Sequence, residues 1–188
     1  MHAATQHNDK HVVKMILEYA QLLSTAHRIL DGREQIEQRV TKSGKTRNVK
    51  VWKLPDARDE ILYKVTHRNH PCAVWCREDA FNYKWTWELL RVLCDEYYYR
   101  YGQHRPNSTD DHMQPITGRY HKVKASGLLN QLSHIPTNLD AHARTPFVQC
   151  MPDQYKDADP VQAYRNYYLG EKKDLLKYTS RQQPSWVP

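Results

Sequence analysis

The sequence predicts a mainly α-helical fold: a compact helical single domain with two long core helices, a C-terminal helix and a small basic β-hairpin insertion. Residues 9–32 carry apolar side chains around most of a helix circumference, and residues 70–101 form a second long helical segment. Residues 38–41 and 48–54 have the pattern of two short strands joined by a turn. A chain of 188 residues supports one hydrophobic core, so we expect residues 1–188 to form a single domain.

The first long helix combines extensive apolar surface with one narrow polar stripe. At roughly 100° per residue, the polar side chains of this stripe fall within about a quarter of a turn of one another. The polar stripe consists of His11, Lys14, Glu18, Gln21, Thr25 and Arg28. Because so apolar a helix belongs in the middle of a domain, the stripe is expected to line a cleft. Gly32 is expected to cap the helix.

A basic β-hairpin is predicted for the insertion at residues 33–54, where positive charges exceed negative ones by five over residues 33–53. The strands are expected at residues 38–41 and 48–54, with Val49 and Val51 on one face and Lys50 on the other. One interpretation is a finger on the DNA phosphate backbone; the other is a solvated excursion whose lysines maintain solubility. The cations of the predicted finger are Lys42, Lys45 and Arg47.

The second long helix is predicted to begin at His70-Pro71, because proline is favoured at the first helical position, and to continue to Tyr101. A short helix is expected between the hairpin and this segment. Six apolar residues should form the buried seam against the first helix. They are Trp75, Trp85, Trp87, Leu89, Val92 and Leu93.

Residues 103–158 are rich in Pro, Gly, Asn, Asp and His and are predicted to form a long loop region with one short helix at residues 126–134. Part of this region is expected to line the ligand site. The last helix is predicted to begin at Asp159-Pro160, with an aspartate N-cap followed by proline in the first turn.

Charge and aromatic content indicate a polyanionic partner. The net charge of +7 favours nucleic acid, and we expect double-stranded DNA, with RNA binding or a merely basic protein as alternatives. Five tryptophans and thirteen tyrosines stand against two phenylalanines. This bias favours rings that can stack on a base and hydrogen-bond at their polar tip.

Several classes of protein are excluded by the sequence pattern. No run of about eighteen apolar residues occurs, so we expect no membrane partner and a soluble cytoplasmic protein. Four irregularly spaced cysteines do not make a disulfide framework, which favours a reducing compartment. His67, His70, Cys72 and Cys76 crowd together without a C-x2-C pair, so buried core cysteines are expected and no metal. No phosphate-binding glycine loop is present, and no cofactor is expected.

His11 and Glu18 are the residues of the polar stripe best suited to chemistry. They are seven positions apart, which places both on one helix face about 10 Å apart along the axis. Lys14 lies between them and would help to keep Glu18 ionised. Such a carboxylate can stabilise a cationic sugar transition state or activate water, as in glycoside cleavage. A structural Lys14–Glu18 ion pair in the core is the equally supported alternative.

Three separated motifs resemble the phage pyrimidine-dimer DNA glycosylases of the endonuclease V type. Asp9, His11 and Glu18 form D-x-H-x6-E within the first helix. Residues 100–102 form R-Y-G, and residues 181–186 form R-x-x-P-x-W. The segments DKHVVKM, NHPCAVW and MPDQYK also resemble a group of phage-borne proteins over nearly the whole chain.

The resemblance implies a compact helical enzyme that flips a nucleotide out of DNA and breaks its N-glycosidic bond, leaving an abasic site. Glu18 would stabilise the oxocarbenium-like sugar, and His11 would contact the DNA or the reacting nucleotide. Further substrate or DNA contacts are expected from both long helices. These are Lys14, Gln21, Arg28, His70, Trp75 and Arg77.

Two departures from the family pattern leave the chemistry open. The family's nucleophile is the N-terminal amine exposed by removal of Met1. Here the terminus is about four residues closer to His11, and His2 would normally block that removal, so water guided by Glu18 is the alternative attacking group. Gln21 stands where the family has arginine. A bulky modified pyrimidine, such as glucosylated hydroxymethylcytosine, is therefore as well supported as a photodimer.

Two other classes of function are weighed against the glycosylase. A non-catalytic phage-related DNA-binding or inhibitor protein would use only the hairpin and the aromatic residues. A nuclease would need a metal, and the sequence shows no carboxylate cluster to hold one. A monomer is expected for the glycosylase, acting either in host defence or for the phage.

Overall fold

A computed structural model describes residues 2–101, 123 and 127–188. It confirms a mainly α-helical chain with one small antiparallel hairpin. Residues 1, 102–122 and 124–126, which include part of the predicted loop region, lie outside the described residues. The helices are α1 (His2–Thr5), α2 (Asp9–Asp31), α3 (Arg58–Ile61), α4 (Pro71–Cys76), α5 (Ala80–Tyr101), α6 (Leu128–Gln131) and α7 (Pro160–Glu171). The strands are β1 (Arg33–Val40) and β2 (Thr46–Lys53), and single 3-10 turns occupy Asp153–Tyr155 and Lys173–Leu175.

Helix α2 is the central helix of the fold and has a defined cap at each end. At its start, the Asn8 side chain accepts a hydrogen bond from the His11 amide at 3.0 Å. At its end, the Gly32 amide donates to the Arg28 carbonyl at 3.2 Å. A Cβ at position 32 would overlap that carbonyl oxygen. The prediction of Gly32 as the cap is therefore confirmed, and close backbone approach is the reason for glycine.

The core lies between α2 and α5. Helix α2 contributes fully buried side chains, among them Ile16 and Leu23, which pack in one cluster with residues from α5. Leu89 and Leu93 from the predicted seam are buried. Its other α5 members, Trp85, Trp87 and Val92, are half-buried and pack at the edge of the core, while Trp75 is buried on α4. Burial of these apolar surfaces is the main stabilising term of the fold.

The predicted single helix over residues 70–101 is wrong, because α4 and α5 are separate helices. The Asp79 carboxylate between them accepts hydrogen bonds from the amides of Phe81, His142 and Ala143 at 2.7, 2.7 and 3.2 Å. A short acidic side chain that bonds to nearby amides favours a helix start over helix continuation. Two of these three amides come from a distant segment, so apolar periodicity along α4 and α5 gives no sign of the break.

The hairpin directly follows α2 and is longer than predicted. Its antiparallel register runs from Arg33 opposite Lys53 to Val40 opposite Thr46, and Gly44 in the turn has a positive φ of 79°. Val49 and Val51 share one face opposite Lys50, as expected from strand alternation. The length of strand β1 was underestimated because its side chains are nearly all polar and exposed. A strand without a buried face lacks the alternation of apolar and polar residues that marks a strand in a sequence.

Arg28 is buried, which corrects its expected role in DNA contact. Its guanidinium donates to the carbonyl oxygens of Tyr63, Trp52, Asp59 and Leu62 at 2.7, 2.8, 2.7 and 2.9 Å. It also forms an ion pair with the Asp59 carboxylate. These contacts bind α2 to β2 and to the segment around α3. Arg28 has no accessible surface left for a phosphate.

A second buried network joins the start of α2 to the end of α5 and to the C-terminal tail. The fully buried Arg100 donates to Asp9 at 3.0 Å and to Glu96 at 2.7 Å. Arg181 of the tail donates to the second oxygen of Glu96 at 2.6 Å. The Asp9 carboxylate also accepts hydrogen bonds from the amide and hydroxyl of Thr179. The tail is thereby held against the first long helix.

The remaining predicted helices are present with adjusted bounds. Helix α6 is shorter than the predicted segment at residues 126–134, and α7 begins at Pro160 with the Asp159 side chain accepting from the Val161 amide at 2.9 Å. The N-cap prediction is therefore confirmed. No helix in the described part of the chain is long and apolar enough to span a bilayer.

Candidate functional site: a cavity beside the first long helix

A cavity of about 620 Å³ lies beside α2. Four residues of the polar stripe line it, His11, Lys14, Glu18 and Gln21, which confirms that this part of the stripe faces a cleft. The last turns of α2 depart from the expectation. Thr25 is buried and its hydroxyl donates to the Thr66 carbonyl at 3.2 Å, so the stripe leaves the cavity beyond Leu22.

Glu18 and Lys14 form an ion pair of 3.1 Å on the cavity wall. Their side chains are 39% and 55% exposed, so the alternative of a pair buried in the core is wrong. An exposed pair at this helical spacing contributes only about 0.3–0.5 kcal/mol to stability. Glu18 can therefore contact a ligand with little loss of helix stability.

His11 enters the cavity as a half-buried imidazole. Its Nδ1 forms a hydrogen bond with the Tyr168 hydroxyl of α7, and the two rings meet edge to face with centroids 5.4 Å apart. Burial, and then the positive charges of His7 and Lys14, lower the pKa of His11 to about 4. At neutral pH His11 is an uncharged ring, so it suits hydrogen bonding to a ligand rather than attraction of a phosphate.

One wall of the cavity is aromatic. Trp75, Trp85 and Phe147 contact one another, with ring centroids 5.9, 5.5 and 4.6 Å apart for the three pairs. Trp75, one of the expected pocket residues, lines the cavity. Phe147 was missed, because it lies in an extended segment without periodicity. Rings arranged in this way offer apolar surface for stacking.

Helix α7 and the C-terminal tail close the opposite side. Trp186 lines the cavity and donates from Nε1 to the Gln6 side chain at 2.7 Å. The Arg165 guanidinium lies 6.0 Å from the Trp186 ring centroid. Its Nε is buried and has no hydrogen-bond partner among the described residues. Tyr164 and Tyr168 complete this side.

Of the residues predicted at the start of the second helix, His70 and Trp75 line the cavity and Arg77 does not. One guanidinium nitrogen of Arg77 donates to the carbonyl oxygens of Arg68 and Ala73, both at 2.8 Å. This corrects the expectation of Arg77 as a pocket residue. It forms the C-cap of α4 instead, because the helix ends there.

His70, Cys72 and Cys150 come together at the cavity edge. The two sulfurs are 3.5 Å apart, and one ligand atom from each residue lies within 4.8 Å of the others. Sequence spacing missed this cluster because Cys150 is remote along the chain. Cys76 is fully buried, as expected for a core-facing cysteine. Burial raises the pKa of the Cys72 thiol to about 12.

The hairpin carries three exposed cations near its turn, Lys42, Lys45 and Arg47, called here the tip cations. None of them forms an ion pair with another residue that the structure describes. The base of the hairpin adjoins the cavity, because the Arg68 guanidinium lies over the Trp52 ring at 5.2 Å and the neighbouring His67 lines the cavity. Contact of the tip cations with phosphates remains a prediction.

Residues of the three separated motifs meet around this site. Asp9, Arg100 and Arg181 belong to the second buried network, while His11, Glu18 and Trp186 line the cavity. The network therefore fixes the position of the first turns of α2 relative to the C-terminal tail, and both of these segments line the cavity. The positions of the three motifs along the sequence do not show that they are close in space.

Stability is expected to fall between about pH 6.5 and about pH 4, because His11 and His27 have pKa values lowered from 6.5 to about 4. Burial is the main cause for both residues. The unfolded chain binds protons in this window that the folded chain does not, so the free energy of unfolding decreases as pH falls. Thermal unfolding at several pH values would measure the slope.

His27→Gln should flatten that slope, because it removes one of the two imidazoles with lowered pKa values. Equal slopes for the wild type and His27→Gln would contradict the assignment.

The cavity thus combines a carboxylate, an uncharged imidazole and an aromatic wall, next to a surface with exposed cations. These features come from the chain's own geometry. No protein-family model, no curated protein and no solved structure matches this chain.

Proposed function

We propose that this protein is a DNA base glycosylase that flips out and excises a damaged or bulky modified pyrimidine, leaving an abasic site. The observation that carries the proposal is Glu18, exposed on the wall of a cavity of about 620 Å³. That volume lies within the roughly 300–1,000 Å³ of small-molecule sites. An enzyme that acts on a base needs such a pocket, because the reacting atoms are inaccessible inside the duplex.

Glu18 is the proposed catalytic residue. Breaking the N-glycosidic bond develops positive charge on the sugar, and a carboxylate held on a rigid helix stabilises that charge. In the hydrolytic route, a water oxygen bonds to C1′, its proton passes to Glu18, and the bond from C1′ to the base nitrogen breaks. The departing base then takes up a proton.

An amine could replace water in this step. The N-terminal amine of the resembling family would form a covalent imine with the sugar and lead to strand cleavage. Met1 lies outside the described residues, so chemistry must distinguish the two routes. Borohydride reduces the imine to a stable protein–DNA adduct, whereas the water route gives none.

The aromatic wall and the polar groups opposite it would recognise the extruded nucleotide. Trp75, Trp85 and Phe147 supply surface for stacking, and His11 and Gln21 supply hydrogen-bonding groups. The volume of the cavity supports a bulky pyrimidine, with a dimer and a glucosylated hydroxymethylcytosine as the two classes to test.

The direct test is incubation of the protein with plain, ultraviolet-irradiated and phage-modified DNA, followed by quantification of abasic sites with an aldehyde-reactive probe and mass spectrometry of released bases. A base excised from a dimer stays joined to its neighbour, so abasic sites are the readout for irradiated DNA. We expect abasic sites in one of the last two substrates and none in plain DNA. Salt-sensitive binding without abasic sites in any of the three would support the second candidate, a non-catalytic phage-related DNA-binding protein. The exposed tip cations favour that candidate independently of Glu18.

Replacing the three tip cations with alanine is expected to weaken DNA binding. Log affinity falls with log salt concentration, and each lost phosphate contact makes this slope shallower by about 0.9. The slope of the triple variant should therefore be shallower by about 2.7. Fluorescence anisotropy at several salt concentrations measures this. A control with the same change of charge replaces exposed lysines that do not line the cavity, Lys84, Lys156 and Lys177. Equal slopes for both triple variants would remove the hairpin from the DNA interface.

A further inference from the structure

Beyond the proposed function and independently of it, we propose that His70, Cys72 and Cys150 bind a zinc-class divalent cation in the cavity wall. The two sulfurs are 3.5 Å apart, and one donor atom from each residue lies within 4.8 Å of the others. Two thiolates bonded to a tetrahedral zinc ion at about 2.3 Å lie about 3.8 Å from each other. The two sulfurs therefore need only a small outward movement to hold the ion.

The donor chemistry selects the type of cation. Thiolate and imidazole ligands favour zinc and related soft ions over magnesium and calcium, which require oxygen ligands. Two thiolates and a neutral imidazole also balance the charge of a divalent ion. A complex without net charge suits this half-buried position, because an unbalanced charge would be costly to desolvate.

The fold positions His70 and Cys72 on one short element. His70 is the N-cap of α4, and its Nδ1 accepts a hydrogen bond from the Cys72 amide at 3.2 Å. That bond occupies the Nδ1 lone pair and leaves the proton of the neutral ring on Nε2. Ligation through either nitrogen therefore exchanges the hydrogen bond from the Cys72 amide for the bond to the metal. Pro71 at the first helical position restricts the backbone between the two ligands.

Cys150 reaches the cluster from an extended segment that is anchored at the two residues before it. Before it, the Val148 carbonyl accepts a hydrogen bond from the Tyr164 hydroxyl at 3.0 Å. Gln149 also exchanges two hydrogen bonds with the backbone of Asp157, at 2.6 and 3.1 Å. The third ligand is thus held in place by α7 and by the segment before it.

The cation would have an open coordination position facing the cavity. His70 and Cys72 both line the cavity, and the cluster supplies three protein ligands. Three ligands with one open position are typical of catalytic zinc sites, whereas structural sites have four. Water, or a lone pair of a molecule in the cavity, would fill the fourth position.

Cobalt titration of the reduced full-length protein, without DNA, tests the site. We expect one equivalent of cobalt, with thiolate charge-transfer and tetrahedral d–d bands that added zinc abolishes. Cys72→Ser and Cys150→Ser should each lose much of the charge-transfer band, and His70→Ala should bind at least about tenfold more weakly. Cys94→Ala is the matched control, because Cys94 is buried in the core on α5, and it should retain the bands.

A second measurement uses only the wild-type protein. Bound zinc should protect Cys72 and Cys150 from alkylation, as identified by peptide mass spectrometry. The proposal is overturned by the absence of thiolate bands, by bands that persist in both serine variants, or by equal alkylation with and without zinc. It is also overturned if the reduced protein binds no metal and mild oxidation joins the two cysteines, which would assign them to a redox pair.

Discussion

Glu18→Gln is expected to reduce base release at least about a hundredfold, the usual size of an effect from removing a catalytic acid–base or charge-stabilising group. The amide keeps the shape of the side chain but loses the charge that stabilises the sugar cation and the basicity that activates water. Folding should be retained, because the exposed Lys14 pair adds little stability. Base excision is measured as the rate at which abasic sites form in the DNA on which the wild-type protein acts.

Glu60→Gln is the matched control, since Glu60 is exposed and lies outside the cavity lining. It should release bases at the wild-type rate. DNA affinity of Glu18→Gln should equal that of the wild type, which separates a chemical defect from a binding defect. Full base release by Glu18→Gln would exclude Glu18 as the catalytic residue. Unfolding of this variant would give Glu18 a structural role.

Arg28→Met is expected to destabilise the fold by about 3–5 kcal/mol, the range for removing one partner of a buried ion pair. Methionine fills part of the volume but removes the guanidinium from the surrounding carbonyl oxygens and from the Asp59 carboxylate, which keeps only the Leu54 amide, at 2.9 Å, as a hydrogen-bond donor among the described residues. Unpaired buried acceptors retain their full desolvation cost. Urea unfolding followed by circular dichroism measures the loss.

Lys50→Met provides the comparison. Lys50 forms a 2.7 Å ion pair with Glu34, but both side chains are exposed, so the loss should stay below about 1 kcal/mol. At temperatures where Arg28→Met remains folded, its DNA affinity should equal that of the wild type, because Arg28 is fully buried. A destabilisation similar to that of Lys50→Met would show that the buried network contributes little.

Local patterns were sufficient for several elements. Helix α2 was predicted from apolar residues at helical spacing and from Gly32, because the buried residues of a packed helix recur with a period of 3.6 residues. The start of α7 was predicted from Asp159 and Pro160, since capping involves groups only a few residues apart. The cavity-facing positions His11, Lys14, Glu18 and Gln21 followed from the same helical geometry.

Contacts between distant segments could not be predicted in this way. The break before α5 depends on Asp79 bonding to amides at His142 and Ala143. The burial of Arg28 depends on carbonyl oxygens supplied by other elements, so its place on the polar stripe was misleading. Phe147 at the aromatic wall likewise gave no local signal.

The sequence by itself determined the helical class, the hairpin and the face of α2 that carries Glu18, because these depend on the spacing of side chains along one segment. Only the tertiary structure decided that Thr25 and Arg28 of the same face are buried inside the protein. It also decided that Cys150 joins His70 and Cys72. Burial and hydrogen-bond partners are properties of packed segments, and the order of residues along a chain does not specify which segments meet.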